Sequence, residues 1–299
     1  MKMAAYAKFA TALRVRAVPG RPRFLHGAPV VPLVILSLFI VMAVFGEFIA
    51  PHSATIGVLP DRLLPPMWQD GGRSTYIFGT DLLGRDVLSR VIVGARISLI
   101  AASVTVVLGG VFGTTLGLIS GYFGGWIDAL IMRATDAVLS LPIVLIALLF
   151  AVLFGPGLNI VILVLALAMW ARFARLIRGE VLSLKERDFV ALAKVAGGSS
   201  RRIILKHIFP NVVNSLVVLA TLQMSWVIIL EAGLSFLGAG IPPPTPSWGL
   251  MVAEGRGYVR DGWWLSVFPG LAIVFLVLAL NLLGDWLRDS IDPRQRHVG

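Results

Sequence analysis

Long uncharged runs alternate with short charged stretches along this chain, and the length of each run decides what it forms. About 18 apolar residues or more can cross the ~30 Å hydrocarbon core of a bilayer as one helix. Helices suit the task because every backbone N–H and C=O in lipid must find its partner within the segment. The first run, Gly27 to Gly46, predicts one span. A cleavable signal peptide is the other reading, but its apolar region covers only about 7–15 residues. Pro51 and His52 also make a poor small-residue cleavage site, so an uncleaved helix is expected over 29–50. From Ala50 to about Gly94 the chain is polar, with Pro60, Pro65, Pro66 and Gly71-Gly72, which predicts a soluble loop over 51–93.

The second run extends from Ile97 to Ile127, and Gly109, Gly113, Gly117 and Gly121 recur in it at every fourth residue. On a helix they share one face and let another helix approach closely. Ordinary glycine frequency in membrane helices is the bland alternative. The helix is expected to end near Ser120 or Gly121, because Gly124-Gly125 break it, and Asp128, Arg133 and Asp136 then mark an aqueous or interfacial segment. The third run, Ala137 to Ala171, is too long for one span, and Gly155-Pro156-Gly157 divides it into two short spans joined by a tight turn. Arg172, Arg175 and Arg178 follow as a basic helix end. The stretch Gly179 to Phe209 reads as two amphipathic helices interrupted at Gly197-Gly198, the second capped by Ser199 or Ser200 and ending before Pro210. A fifth span covers Val212 to Leu230 and a sixth about Leu265 to Leu283. The uncharged stretch Ala232 to Ala253 is not counted, because Pro242, Pro243, Pro244 and Pro246 remove backbone donors and cannot continue a helix.

Composition gives the same class: of 299 residues, 57% are hydrophobic and 14% charged, against about half and about a quarter in soluble domains. The expected fold is an all-α integral membrane protein with six transmembrane helices. Its parts are a basic segment (1–28), the first helix (29–50), an external loop (51–93), a five-helix core (94–284) and a tail (285–299). The formal charge of +10 raises the possibility of nucleic acid. Its distribution argues otherwise. Lys2, Lys8, Arg14, Arg16, Arg21 and Arg23 precede any acid and lead straight into the first run, with few aromatics between them. With six spans, that segment shares a side with Arg133, Lys185, Arg187, Lys194, Arg201, Arg202, Lys206, Arg288, Arg294 and Arg296. The other side holds only Arg62, Arg73, Arg85, Arg90, Arg256 and Arg260. By the positive-inside rule both termini are cytoplasmic, and 51–93 and 232–264 face outside.

Little chemistry is expected on the chain itself. It has no cysteine, its four histidines are scattered, and no G-x-x-x-x-G-K-[ST] phosphate loop, H-E-x-x-H or G-x-S-x-G sequence occurs. Neither a catalytic residue nor a metal site is expected. Glu47 and Glu231 sit at run ends where water is close, whereas a proton relay or an intramembrane protease needs ionisable groups deep in the spans.

The 185–210 loop is the informative piece. A cytoplasmic helix–glycine–helix element, small on one side and basic on the other, suits docking. Ala191, Ala193 and Gly197 supply the small face, and Lys194, Arg201, Arg202 and Lys206 can meet acidic groups on a partner. An ordinary positive-inside loop needs no partner, and physics alone leaves both readings open.

The stretch Asp188-Phe-Val-Ala-Leu-Ala-Lys-Val-Ala-Gly197, followed by His207-Ile-Phe-Pro210, resembles the "EAA" loop of binding-protein-dependent ABC importer permeases, with its glycine-to-proline spacing. Four further segments resemble the dipeptide/oligopeptide branch of that family. They are Gly79-Thr-Asp-Leu-Leu-Gly-Arg-Asp-Val-Leu-Ser-Arg90, Gly121-Tyr-Phe-Gly-Gly-Trp-Ile-Asp128, Leu234-Ser-Phe-Leu-Gly238 with Pro242-Pro-Pro-Thr-Pro-Ser-Trp-Gly249, and Asn281-Leu-Leu-Gly-Asp-Trp-Leu-Arg-Asp289. The resemblance runs from about residue 30 to Arg294 and implies a type I ABC importer permease architecture.

It further implies a multi-pass subunit of the bacterial cytoplasmic (inner) membrane, in contact with lipid and with no nucleic acid partner. Such a subunit pairs with a second homologous permease. Two ATP-binding subunits dock on the coupling loop, which here comprises Glu186, Asp188, Ala191, Leu192, Ala193, Lys194, Gly197, Arg201, Arg202, Lys206 and Pro210. An extracytoplasmic substrate-binding protein delivers the cargo. ATP and magnesium belong to the partner ATPases, and no cofactor to this chain. Where the wider family has its glutamate, this sequence has Ala191, so Glu186 or Asp188 is the available substitute. The resemblance places an external gate over Glu231, Phe236, Pro242, Pro243, Pro244 and Trp248. The cargo implied is a di- or oligopeptide, with nickel chelates, opines or small glycans as alternatives. A stand-alone secondary transporter would show an internal repeat, and none is visible.

Overall fold

The computed structural model describes residues 29–291 of the chain. The basic N-terminal segment and the tail bases Arg294 and Arg296 lie outside the described residues. Among these described residues, nine helices of eight residues or more follow one another: α1 Val30–Ile49, α2 Val87–Phe123, α3 Gly125–Ser140, α4 Ile143–Phe154, α5 Leu158–Leu184, α6 Asp188–Val195, α7 Ser200–Phe236, α8 Trp248–Gly255 and α9 Trp264–Ile291. Five of them (α1, α2, α5, α7 and α9) are long and apolar enough to cross a membrane. Taken together, the pair α3–α4, bent by 81° at the Leu141–Pro142 break, is also long and apolar enough.

Helix boundaries differ from the sequence expectation where polar residues turn out to be helical. Helix α2 begins at Val87, inside the expected loop, because the Asp86 side chain caps it by accepting from the Ser89 N–H at 3.0 Å. It continues to Phe123 and stops at Gly124, whose φ of +66° is a left-handed conformation that glycine adopts without penalty. The expected aqueous segment after it is the amphipathic helix α3. Arg172, Arg175 and Arg178 lie within α5, which continues to Leu184.

Pro210 ends no helix. A π turn at Ile204–Ile208 lets the Phe209 N–H reach the Ile204 carbonyl, and Pro210 then occupies the first turn of the following α-helical stretch. A proline needs no N–H donor partner there, so α7 runs on as one rod.

The glycine stripe lies where α2 and α5 press together. A Cβ on Gly109 would lie 2.8 Å from Met169 Cβ, one on Gly113 2.2 Å from the Trp170 carbonyl oxygen, and one on Gly117 2.7 Å from the Ala174 carbonyl oxygen. On Gly121 it would meet Val181 Cβ at 2.7 Å. At Gly113 and Gly117 the obstacle is backbone and at Gly109 and Gly121 the root of a side chain, and in each case only glycine permits the approach. The main core gathers α1, α2, α5, α7 and α9 around Val91, Leu165, Phe173, Ile228, Trp248 and Leu276. A second cluster (Leu118, Ile177, Val181, Val190, Ile203 and Ile208) roots α6 and the start of α7 onto α2 and α5.

Candidate coupling element and gate segment

Helix α6 is short, so its placement depends on how it ends. The Gly197 N–H donates to the Lys194 carbonyl and the Gly198 N–H to the Ala193 carbonyl, both at 3.0 Å, with Gly197 at φ +75°. This is a Schellman ending, in which the residue just past the helix is left-handed. Ser199 then caps α7, its Oγ accepting from the Arg202 N–H at 3.4 Å. Val190 is buried and Ala193 half-buried against the second core cluster.

That orientation corrects the expected small face. Ala191 and Ala193 point in opposite senses, and Ala193 belongs to the inward side. The outward side is apolar and bulky: Val195 is 86% exposed, Leu192 68% and Phe189 37%, flanked by exposed Ala191 and Gly197. Glu186, Asp188, Arg201, Arg202, Lys206 and Pro210 are exposed around it. Lys194 extends over the Tyr122 ring, 5.9 Å from its centroid. At the root, Lys185 Nζ donates to the Gly121 carbonyl at 3.3 Å, and Arg178 binds Asp128 of α3 in a two-bonded fork at 2.5 and 2.6 Å.

The segment after α7 is packed. Trp248 starts α8, is fully buried, and donates its Nε1–H to the Val91 carbonyl at 2.9 Å, with Phe39 edge-on at 5.3 Å. Gly249 presses on α7, since a Cβ there would lie 2.5 Å from Ala232 Cα. Pro242, Pro243 and Pro244 are exposed, and Phe236 stacks under the Arg256 guanidinium at 5.1 Å. Glu231 does not sit beside water. Helix α7 carries on past it to Phe236, and the carboxylate is fully buried, accepting from Ser235 Oγ at 2.9 Å and Ser98 Oγ of α2 at 3.3 Å. The end of an apolar run is not the end of a helix.

Sequence reasoning missed a buried ion cluster that joins the loop before α2 to α8. Asp81 receives Arg85 Nε at 2.6 Å and also pairs with Arg90. Glu254 of α8 receives Arg90 at 2.8 Å and Arg85 at 3.3 Å. Trp264 Nε1 of α9 donates to the Thr80 carbonyl at 3.1 Å in the same region. The run Thr80-Asp81-x-x-Gly84-Arg85-Asp86 contains these residues, and alternating charge within a supposed loop was the only available signal.

On another side of the molecule, a cleft of about 710 Å³ opens between α5, α6, α7 and α9, lined among others by Leu176, Glu180, Asn214, Ser215 and Leu222. Ser215 Oγ donates to Glu180 Oε1 at 3.0 Å. Higher on the same two helices, the Arg172 guanidinium lies 3.9 Å from the centroid of the Trp226 ring and donates to Gln223 Oε1 at 3.2 Å.

Known proteins share this sequence and this fold. Residues 113–297 match the family described as "Binding-protein-dependent transport system inner membrane component". The dipeptide transport system permease protein of Haemophilus influenzae is 41% identical over 262 residues, covering 88% of this chain and 89% of that protein. The di/tripeptide transport system permease protein of Pseudomonas aeruginosa is 39% identical over 89% of this chain and 88% of its own length. The glutathione transport system permease protein of Escherichia coli is 43% identical over 86% of this chain and 83% of its own length. Among solved structures, the MetNI methionine ABC transporter in an inward-facing conformation is similar in fold, with a TM-score of 0.55 at 18% identity over 68% of this chain and 96% of that one. The apolar helices, the glycine-packed core and a sequence match over most of its length therefore agree: this chain belongs to the family of binding-protein-dependent transport system inner membrane components, and is a multi-pass transport permease.

Proposed function

We propose that this chain is one of two spanning subunits of an ATP-driven peptide importer and that α6 is where cytoplasmic ATPase subunits take hold. The observation that carries this reading is the outward face of Phe189, Leu192 and Val195. An isolated surface leucine needs no explanation, but three large apolar side chains on one short, firmly rooted helix favour a protein partner. Lys194, Arg201, Arg202 and Lys206 surround that face and suit an acidic rim on the partner. ATP and magnesium are bound by the partners. Closure of the ATPases drives α6 as a lever, and α5 and α7, to which it is rooted, carry the motion toward the external gate around Trp248. The two packings are discrete states, and ATP biases one over the other.

Peptides are the cargo that the relatives' names favour, with glutathione, a tripeptide, within the same class. A second permease completes the pathway, a binding protein delivers from outside, and both termini are cytoplasmic. The test is Gly197→Arg. A side chain at φ +75° is strained and breaks the Schellman ending, while the spans are untouched. The variant is expected to reach the membrane at normal yield but to lose co-purifying ATPase subunits and peptide uptake. Normal ATPase binding and uptake in Gly197→Arg rule out this loop as the coupling site.

A further inference from the structure

Arg172 stands roughly midway along the spanning helix α5, between Leu158 and Leu184, yet it is only half-buried within the chain. Its position is fixed on two sides, by the Trp226 ring beneath it at 3.9 Å and by Gln223 at 3.2 Å. A guanidinium carries five N–H donors, and Gln223 takes one of them. No carboxylate among the described residues pairs with it; Glu180, two helical turns along, accepts from Ser215 instead. Donors left toward lipid would go unsatisfied, and charged groups within a spanning helix face a water-filled cavity or a partner. The cleft opens one helical turn away. Leu176 and Glu180, at the next two turns of α5 after Arg172, line it from one side, and Leu219 and Ser215, at the two turns of α7 before Gln223, line it from the other. Arg172 and Gln223 thus stand on the two helix faces that lead into the cleft, just beyond its lining.

A planar fork of N–H donors matches the two oxygens of a carboxylate as it does those of a phosphate, and of these two anions a peptide cargo has the carboxylate. A peptide with a free C-terminus always carries one. We propose that Arg172, held in place by Trp226 and Gln223, is a cargo contact that receives the terminal carboxylate of a peptide on its way along the α5–α7 cleft. This rests on the peptide-importer reading and adds a residue and a chemical handle to it. The indole and the glutamine act as positioning residues, since they hold the guanidinium while engaging only one of its five N–H donors.

The experiment reconstitutes the complete importer, with its second permease, ATPases and binding protein, in proteoliposomes. Uptake of a labelled dipeptide is compared with uptake of its C-terminal amide in wild type, Arg172→Lys and Arg172→Gln. The same binding protein serves every variant, so its own preference cancels in the acid-to-amide ratio. Arg172→Gln should lower acid uptake by about tenfold or more, the scale of a lost charged hydrogen bond, with a smaller loss for the amide, so that the acid-to-amide ratio falls. Arg172→Lys should fall between, keeping the charge without the fork. A photoreactive benzoylphenylalanine at Leu176 should crosslink the dipeptide during turnover, and less so in Arg172→Gln, a readout that needs no amide. An unchanged acid-to-amide ratio, equal loss for both peptides, loss of complex yield, or no crosslink at Leu176 would overturn the proposal and leave Arg172 as a pin between α5 and α7. A wild-type importer that carries no peptide removes the cargo reading and this one together. Peptide uptake by wild type with Arg172→Gln indifferent removes only this one.

Discussion

Gly113 brings α2 so close to α5 that a single methyl group has nowhere to go, the Trp170 carbonyl oxygen standing 2.2 Å from the position of a Cβ. Neither backbone can retreat alone, because Gly109, Gly117 and Gly121 hold the same contact above and below. Gly113→Ala is therefore expected to destabilise the chain by about 1–3 kcal/mol, the usual cost of overpacking. A lowered unfolding temperature in detergent would show it. Gly179→Ala is the control: it lies on the next stretch of α5, exposed and with open space around a Cβ. There the change should be neutral or stabilise by up to about 1 kcal/mol through helix propensity. Equal behaviour of the two variants would deny the stripe any packing role. The four-residue spacing made this face legible in the sequence, whereas its partner, the Trp170–Val181 side of α5, was not. Glu231 shows the opposite case. Read as a carboxylate at the edge of an apolar run, it is enclosed by serines from two helices, one of them 133 residues away in sequence.

At the scale of elements, α6 shows how rotation decides function. Successive residues on a helix turn by about 100°, so Ala191 and Ala193 cannot share a face, although both are small. Buried Val190 and half-buried Ala193 fix the inward side, and Leu192 and Val195 are left outward. Leu192→Asp and Val195→Asp should each weaken retention of the ATPase subunits at least tenfold, because a carboxylate would enter a desolvated contact unpaired. Membrane yield of the permease should not change. Pull-down of the ATPases from solubilised membranes measures this, and full retention by both variants would move the docking surface off α6. The start of α7 carries a related lesson. Proline was read as a stop, which is the usual consequence of its missing donor. The π turn before Pro210 absorbs that loss and joins the start of α7 to its spanning part without a joint.

For the whole molecule, the two sides differ in how their bases are used as well as in number. Of the six bases on the side proposed as external, Arg73, Arg85 and Arg90 are paired with an acid, to Asp61, Asp81 and Glu254, while Arg62, Arg256 and Arg260 are exposed and make no ion pair among the described residues. Arg201, Arg202 and Lys206 on the other side are exposed and make no ion pair among the described residues. A free excess of positive charge on one side is what orients a chain in the membrane. Single cysteines at Ser74 and Val259, both exposed, should react with a membrane-impermeant thiol reagent in intact cells whose outer membrane has been permeabilised. One at Ser199 should react only after the inner membrane is opened. The reverse pattern would turn the molecule over.

The sequence alone determined the membrane-spanning class, the approximate place of each apolar helix, the glycine face and the helix–glycine–helix element. These rest on local regularities: run length against bilayer thickness, a four-residue period, and glycine where the chain must turn. Tertiary structure decided everything that depends on contacts between distant segments. It set which side of α6 faces out, the burial of Glu231 and Trp248, and the continuity of α7 through Pro210. It also brought Asp81, Arg85 and Arg90 to Glu254, and Arg172 to Gln223 and Trp226. The physical reason is the same in each case. A side chain's environment is made by the helices packed around it, and no local pattern records which helices those are.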